Sequence, residues 1–323
     1  MSAGRQIVIA AALSAALALA STPSLAAKSG PLPAPALSQQ IVGWAIDYTI
    51  RPGDIFIKLG AAYGIGAAVL AAENGMTVGS RLTAGNTLHI DNRHIVPQQL
   101  ADGILINLPQ RLVFQFEGGR LIGAYPAAVG RVAPQWRTAT GTFRVIQIRE
   151  DPVWRVPDDV REEAHLNGRV IKARIEPGPD NPLGDYWLGL SLPELGIHGT
   201  NSPLSIYGFR THGCIRLSPD DIEELYDGVD LGDGGEIIYE PVMFAKLDDG
   251  RVFLEVNRDA YKRGMSGMDF VHGLATNLGV VSMIDWKRAQ QVVAAEEGIA
   301  RDVTLAPGSE MKKVRGALRE LLR

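Results

Sequence analysis

Residues 104–130, ILINLPQRLVFQFEGGRLIGAYPAAVG, constrain the fold more than any other stretch. Apolar and polar residues alternate on either side of Gly118-Gly119, and a glycine pair between two such runs signals a hairpin turn. TGTFRVIQIRE at 140–150 predicts another strand, with Phe143 and Val145 on one face and Ile146 and Ile148 on the other. IIYEPV and RVFLEV read as later strands. The middle of the chain is therefore mainly β, with some helix. Between Asp151 and Pro182, prolines, glycines and charges predict long loops, which in compact domains often carry function.

Helices are signalled by their caps. Ser218 precedes Pro219 and stands three residues before Asp221, an S-x-x-D start to a helix that buries Ile222, Leu225, Tyr226 and Val229. Ser282 and Asp285 form the same pattern, predicting a helix to about Glu297 that Gly298 ends. At the C-terminus, GSEMKKVRGALRELLR puts Met311, Val314, Leu318 and Leu321 on one face. Such a helix packs on its own domain or lies on an anionic membrane surface.

The N-terminus reads as a targeting segment. Arg5 precedes the apolar run IVIAAALSAALALA, and Ser24 and Ala26 suit the −3 and −1 positions of a signal peptide cut after Ala26. The run is short for a membrane span, so the expectation is residues 1–26 as signal peptide, with an uncleaved anchor as the alternative. No transmembrane span is expected in the mature chain. Residues 27–43 read as a linker, beginning with the Pro-, Ala- and Ser-rich AKSGPLPAPALSQQ. With 323 residues, 46% of them hydrophobic, the chain is long enough for two ordinary domains. Its net charge of −4 offers no global positive field for nucleic acid.

Residues 44–97 read as a compact strand–helix–helix–strand unit. YTI starts it, helices run near Ile55–Tyr63 and Ala67–Glu73, and LHI closes it. His89 and His94 are expected on its surface. Tyr48-Thr49, Gly53-Asp54, Tyr63-Gly64, Asn74 and LTAGNTLHI together resemble the lysin motif (LysM), a resemblance that implies binding to glycans containing N-acetylglucosamine. A structural cap without ligand is the other reading.

The only cysteine, Cys214, lies in RTHGCIRL. Outside the cytosol a lone cysteine is an intermolecular bridge, an apolar filler or a reactive thiol. In an extended segment His212, Cys214 and Arg216 share a face. Cationic or proton-accepting neighbours lower a thiol's pKa and favour the nucleophilic thiolate. Gly213 lets a carbonyl approach, and the N–H groups near Gly213 and Cys214 suit an oxyanion. Either histidine can be the base. His198, on a neighbouring strand, reaches sulfur more easily than His212, because opposed residues on adjacent strands stand closer than residues two apart on one strand. His212 then takes a secondary role, orienting the loop or touching substrate. Arg216 serves the thiolate or a substrate carboxylate, or forms a structural ion pair. His198, His212 and Cys214 also make a possible zinc set, though no second Cys/His cluster supports it. A wall-binding protein with no chemistry at Cys214 is a further alternative.

HGT at 198–200 with THGCIRL at 211–217 resembles the signature of the L,D-transpeptidases with a YkuD-type catalytic domain, in their periplasmic ErfK/YbiS-like branch. TGTF at 140–143, NPLG at 181–184 and LGL at 188–190 add to it, while TATG at 138–141 has alanine where the family commonly has proline. The resemblance covers about residues 102–241. It implies a β-sandwich-like catalytic domain over 101–241, followed by an appendage over 245–323, mixed and then helical. It implies Cys214 as nucleophile and His198 as proton donor and acceptor. The implied reaction attacks the L-diaminopimelate–D-Ala bond of a peptidoglycan tetrapeptide stem. A thioester then passes to an amine of another stem or of a wall-anchored lipoprotein, or to water in a carboxypeptidase or crosslink hydrolase. Stem peptides and glycan strands are the implied partners, the periplasm the implied location, and no cofactor, metal or nucleotide is implied.

Overall fold

The computed structural model describes residues 36–306. The segments read from sequence as a signal peptide and as a C-terminal amphipathic helix lie outside the described residues.

β1 (Ala45–Thr49), α1 (Phe56–Tyr63), α2 (Ala67–Glu73) and β2 (Thr87–Asp91) follow in the predicted order, and β1 pairs antiparallel with β2. Phe56, Leu59, Ile65, Leu70, Leu88 and Ile90 fill the space between helices and strands. Asn74 bonds the end of α2 to β2, giving its amide to the carbonyls of Leu70 and His89 and accepting the His89 N–H, each at 2.8 Å. His89 is exposed as expected, but His94 is buried. Its Nε2 donates to the Gly64 carbonyl at 2.9 Å, and its Nδ1 lies 3.3 Å from Glu255. A histidine in a polar-looking stretch is drawn inside because two distant acceptors meet it there.

The centre of the molecule is an eight-stranded mixed sheet. Its strands are β3 (Gly103–Asn107), β4 (Leu112–Glu117), β5 (Arg120–Pro126), β6 (Gly141–Glu150), β7 (Tyr186–Leu190), β8 (Gly196–His198), β9 (Ile215–Arg216) and β10 (Gly234–Ile238), in the order β9-β8-β7-β6-β10-β3-β4-β5. Gly118 and Gly119 form the β4–β5 turn with positive φ, as an I′-type hairpin requires. β4 is buried on both faces up to its last residue. Val113 packs in the main core, and Leu112, Phe114 and Phe116 pack in a second cluster with Ile206 and Tyr207.

One strand departs from simple alternation. Gly189 pairs with Gln147 but Leu190 with Val145, so Ile146 forms a bulge and is 62% exposed. The extra residue resets the parity of β6. Ile148 therefore packs on the same cluster as Phe143 and Val145, not on the opposite face.

The segment from Asp151 to Pro182 is not all loop. It contains α3 (Asp158–Leu166) and a short antiparallel pair, Trp154–Arg155 with Arg174–Ile175. Only Val160 and Ala164, one turn apart, are buried on α3, too thin an apolar stripe to stand out in sequence. α4 (Pro219–Asp227) begins as predicted, with the Ser218 hydroxyl accepting from the Asp221 N–H at 3.2 Å.

After the sheet come β11 (Val242–Lys246), β12 (Val252–Val256), α5 (Gly267–Asn277), α6 (Trp286–Ala295) and β13 (Arg301–Asp302). Asp285, not Ser282, caps α6, accepting from the N–H groups of Lys287 and Arg288. Ser282 sits in a preceding 3₁₀ turn, one turn too early to reach them. α6 ends at Ala295, with Glu296 in the left-handed conformation, earlier than the predicted Glu297. This part is stitched to the N-terminal unit. Arg301 pairs with Asp91 at 2.9 Å and with Glu73, and the buried Glu255 carboxylate accepts from the Ile95 N–H at 2.6 Å and from Gln110 and Asn257.

Candidate active site

β8 and β9 are parallel neighbours at one edge of the sheet, with Ile197 opposite Ile215 and His198 opposite Arg216. Ile197 and Ile215 are fully buried in the main core. Strand alternation sends His198 and Arg216 to the other face. Cys214 lies in the bend that enters β9 and is a partly exposed free thiol.

The extended run expected for His212, Cys214 and Arg216 is interrupted. Gly213 has φ +123°, a conformation other residues rarely adopt. His212 therefore turns away. Its Nε2 is 2.6 Å from Glu163 Oε2 and 2.6 Å from Arg131 Nη2, and its ring meets Trp136 edge-on at 4.4 Å. Arg131 completes the clasp with bonds of 2.7 and 2.8 Å to the two Glu163 oxygens. Arg131 and His212 hold the Glu163 carboxyl down at about 2. The clasp ties α3 to the residues just ahead of Cys214. The three residues of the candidate zinc set are thus not gathered, and among the described residues no group of three or more His, Cys, Asp or Glu is placed to hold a metal ion.

His198 is buried, and its Nδ1 lies 2.7 Å from the Gly199 carbonyl, which can only accept. The hydrogen is therefore on Nδ1. Burial, and then the Arg216 charge, hold the ring's pKa down at about 3, against the carbonyls of Gly199 and Leu183. The imidazole is neutral, with Nε2 as its basic nitrogen. Cys214 keeps part of its surface exposed, yet the atoms packed around its sulfur push the thiol up, while the Gly196 N–H and Arg216 pull it the other way. This reverses the expectation of a lowered thiol pKa. Desolvation outweighs one cation and one N–H.

Arg216 has no carboxylate within 4.0 Å among the described residues, so the alternative of a structural ion pair is not formed there. Its Nη1 donates to Ser205 Oγ at 3.0 Å, and its buried Nε has no partner. A desolvated guanidinium left in this state is ready for an anion. The Gly213 N–H donates to Thr211 Oγ1 at 3.2 Å, and the Gly213 carbonyl accepts from Thr138 Oγ1 at 2.6 Å.

Two residues at the site were not singled out from sequence. Trp187 pairs with His198 across β7 and β8 and stacks on its ring, with centroids 6.0 Å apart and planes at 21°. A Cβ on Gly196 would lie 2.3 Å from the Trp187 ring, so the indole rests directly on that glycine. Glu194, in the β7–β8 turn with φ +58°, turns its carbonyl toward the sulfur at 3.7 Å. The sequence signal for Trp187 was its alternation with Gly189 ahead of a glycine-bearing strand, which needs the pairing to be read.

Residues 101–243 match the YkuD family, described as the L,D-transpeptidase catalytic domain. The probable L,D-transpeptidase ErfK/SrfK of Salmonella typhimurium is 31% identical over 231 residues, covering 70% of this chain and 73% of that protein. Its namesake in Escherichia coli is 32% identical over 254 residues, covering 75% and 77%. The probable L,D-transpeptidase YbiS of Escherichia coli is 31% identical over 175 residues, covering 54% and 56%. The residues matched by the family include the strands that bring His198 and Cys214 to one edge, and kinship at this level extends over most of two relatives: the chain belongs to the L,D-transpeptidase family, with a YkuD-type catalytic domain.

Proposed function

We propose that this enzyme cuts and rejoins peptidoglycan stem peptides through a thioester on Cys214. His198 Nε2 takes the thiol proton as sulfur attacks the carbonyl of the L-centre of diaminopimelate. Negative charge gathers on the carbonyl oxygen, beside the Cys214 N–H. The C–N bond breaks, His198 returns its proton to the departing D-alanine amine, and the thioester remains. An acceptor amine then attacks, His198 takes its proton, and the sulfur leaves and is reprotonated. Arg216 receives a substrate carboxylate. The strand–helix–helix–strand unit holds a glycan strand, and the periplasm is the site of action.

The observation that carries this reading is the geometry of His198: its ring sits on the strand paired with the one Cys214 leads into, and the Gly199 carbonyl holds its Nδ1 hydrogen, leaving Nε2 to take a proton. A thiol attacks a carbonyl as its proton passes to a base positioned in this way.

The test incubates the full chain and its Cys214→Ser variant with purified muropeptides and follows products by mass spectrometry. Release of D-alanine with crosslinked dimers, absent in Cys214→Ser, is the expected result. Tripeptides alone assign water as the acceptor, and transfer to a lysine peptide assigns a protein acceptor. Equal turnover by the serine variant sinks the proposal.

A further inference from the structure

We infer that Thr138 is a positioning residue for the oxyanion donor: its hydroxyl holds the Gly213 carbonyl and, through the rigid peptide plane, aims the Cys214 N–H. The inference rests on the thioester reading above.

The direction of each bond around Thr138 is determined. The side chain is 1% exposed. The Gly130 N–H donates to Thr138 Oγ1 at 2.9 Å, so the hydroxyl's single hydrogen is free for the Gly213 carbonyl at 2.6 Å, which can only accept. The described residues contain no cis peptide bond. In a trans plane C=O and N–H point in opposite directions. Drawing the Gly213 oxygen into the buried side therefore turns the Cys214 N–H away from Thr138, toward the exposed side of the loop. Thr211 fixes the same turn from its other end, accepting the Gly213 N–H at 3.2 Å and donating to the Cys214 carbonyl at 2.6 Å. The Gly213 N–H is thus spent, which leaves the Cys214 N–H as the donor beside the sulfur.

Thr138 is itself held by the C-terminal part of the chain. Its N–H donates to the Tyr261 hydroxyl at 3.2 Å, and that hydroxyl donates to the Gly130 carbonyl at 2.8 Å. The Tyr261 N–H donates to the Tyr239 hydroxyl at 2.8 Å, which donates to Asp259 at 2.6 Å. Both tyrosines are buried and stacked, with centroids 5.3 Å apart. A continuous relay of bonds therefore runs from Asp259 to the residue before Cys214. The threonine of the T-A-T-G motif has a role that turn formation alone does not explain.

The test compares Thr138→Val, Thr138→Ser and Tyr261→Phe in the full chain, with kcat and KM on a tetrapeptide muropeptide and the rate of Cys214 alkylation by iodoacetamide. Alkylation displaces iodide at a saturated carbon and forms no oxyanion, so it reads the thiol and its base alone. Removing an oxyanion donor costs about 10²–10³ in kcat, so a misaimed one in Thr138→Val is expected to cost about ten- to a hundredfold, with KM and alkylation within about twofold of wild type. Thr138→Ser keeps the hydroxyl and recovers most of the loss. Tyr261→Phe, one bond further away, loses about three- to tenfold in kcat with alkylation unchanged. Full kcat in Thr138→Val, a parallel fall in alkylation, or no recovery in Thr138→Ser overturns the inference. If Thr138→Val does not fold, Tyr261→Phe decides: unchanged kcat overturns it. A wild-type chain that alkylates normally but leaves muropeptides intact refutes the thioester reading instead.

Discussion

His198 stands opposite Arg216 in the parallel pairing of β8 and β9, and the buried ring shares its surroundings with a guanidinium that has no carboxylate partner among the described residues and whose Nε makes no hydrogen bond. Burial first, and Arg216 second, keep the imidazole neutral to about pH 3. The acid limb of kcat/KM is therefore expected well below the ordinary histidine value of about 6.5. Arg216→Gln removes one of the two causes, so the limb moves to higher pH, though burial stops it short of 6.5. The thiol loses its cation at the same time, and kcat/KM falls by about ten- to a hundredfold, the worth of a charged hydrogen bond. A pH–rate profile of both proteins checks this. An acid limb at 6.5 or above in the wild type contradicts it.

Glu163 links α3 to the loop just ahead of Cys214 through Arg131 and His212. Its carboxyl is depressed to about 2 from an ordinary 4.5. A depressed acid contributes stability above its unfolded pKa and loses it as pH falls through the folded one. The contribution is therefore complete at pH 7 and fades between about 4.5 and 2. Glu163→Gln is expected to lower stability at pH 7 by the order of 1–3 kcal/mol, discounted for the partial exposure of the pair. Urea unfolding at pH 7 and at pH 3 should show the two proteins drawing together in acid. A difference that does not shrink at low pH rules out the ion-pair origin.

Gly196 is where the Trp187 ring comes closest to the backbone, and an added Cβ would meet it at 2.3 Å. Gly196→Ala must push the indole off His198 or shift the strand. A cost of about 1–3 kcal/mol in stability is expected, as for other overpacked sites, together with a loss of activity. Trp187→Ala in the same chain removes the clash, so the double variant should lose less stability than the sum of the two single losses, while the pH profile stays altered since His198 loses its cover. Thermal melts of the single and double variants measure both effects. Additive losses show that the two residues do not touch.

Asp285 and Ser282 make a local test of which side chain caps α6. Asp285→Ala should destabilise by about 1 kcal/mol, the usual worth of an N-cap, and Ser282→Ala by little. Equal effects in chemical denaturation remove the assignment.

Several elements were legible because their causes are local. The hairpin at Gly118-Gly119 follows from turn chemistry, and α4 follows from Ser218, Pro219 and Asp221. The order of β1, α1, α2 and β2 follows from short apolar periods broken at Gly64 and Asn74. α3 was illegible because only Val160 and Ala164 mark its buried side. The parity of β6 was misread because one inserted residue, Ile146, depends on the register of its neighbour.

At the site the division is the same. Turn signals, caps and periodicity act over a few residues, so the sequence by itself determined the strands, their turns, and the presence of one thiol with histidines near it. Only the tertiary structure decided that His212 belongs to Glu163, 49 residues away, that Thr138 bonds the Gly213 carbonyl, and that burial raises the thiol while holding His198 neutral. Desolvation and long-range hydrogen bonds depend on which surfaces meet, and that is set by packing across the sheet rather than by neighbours in the chain.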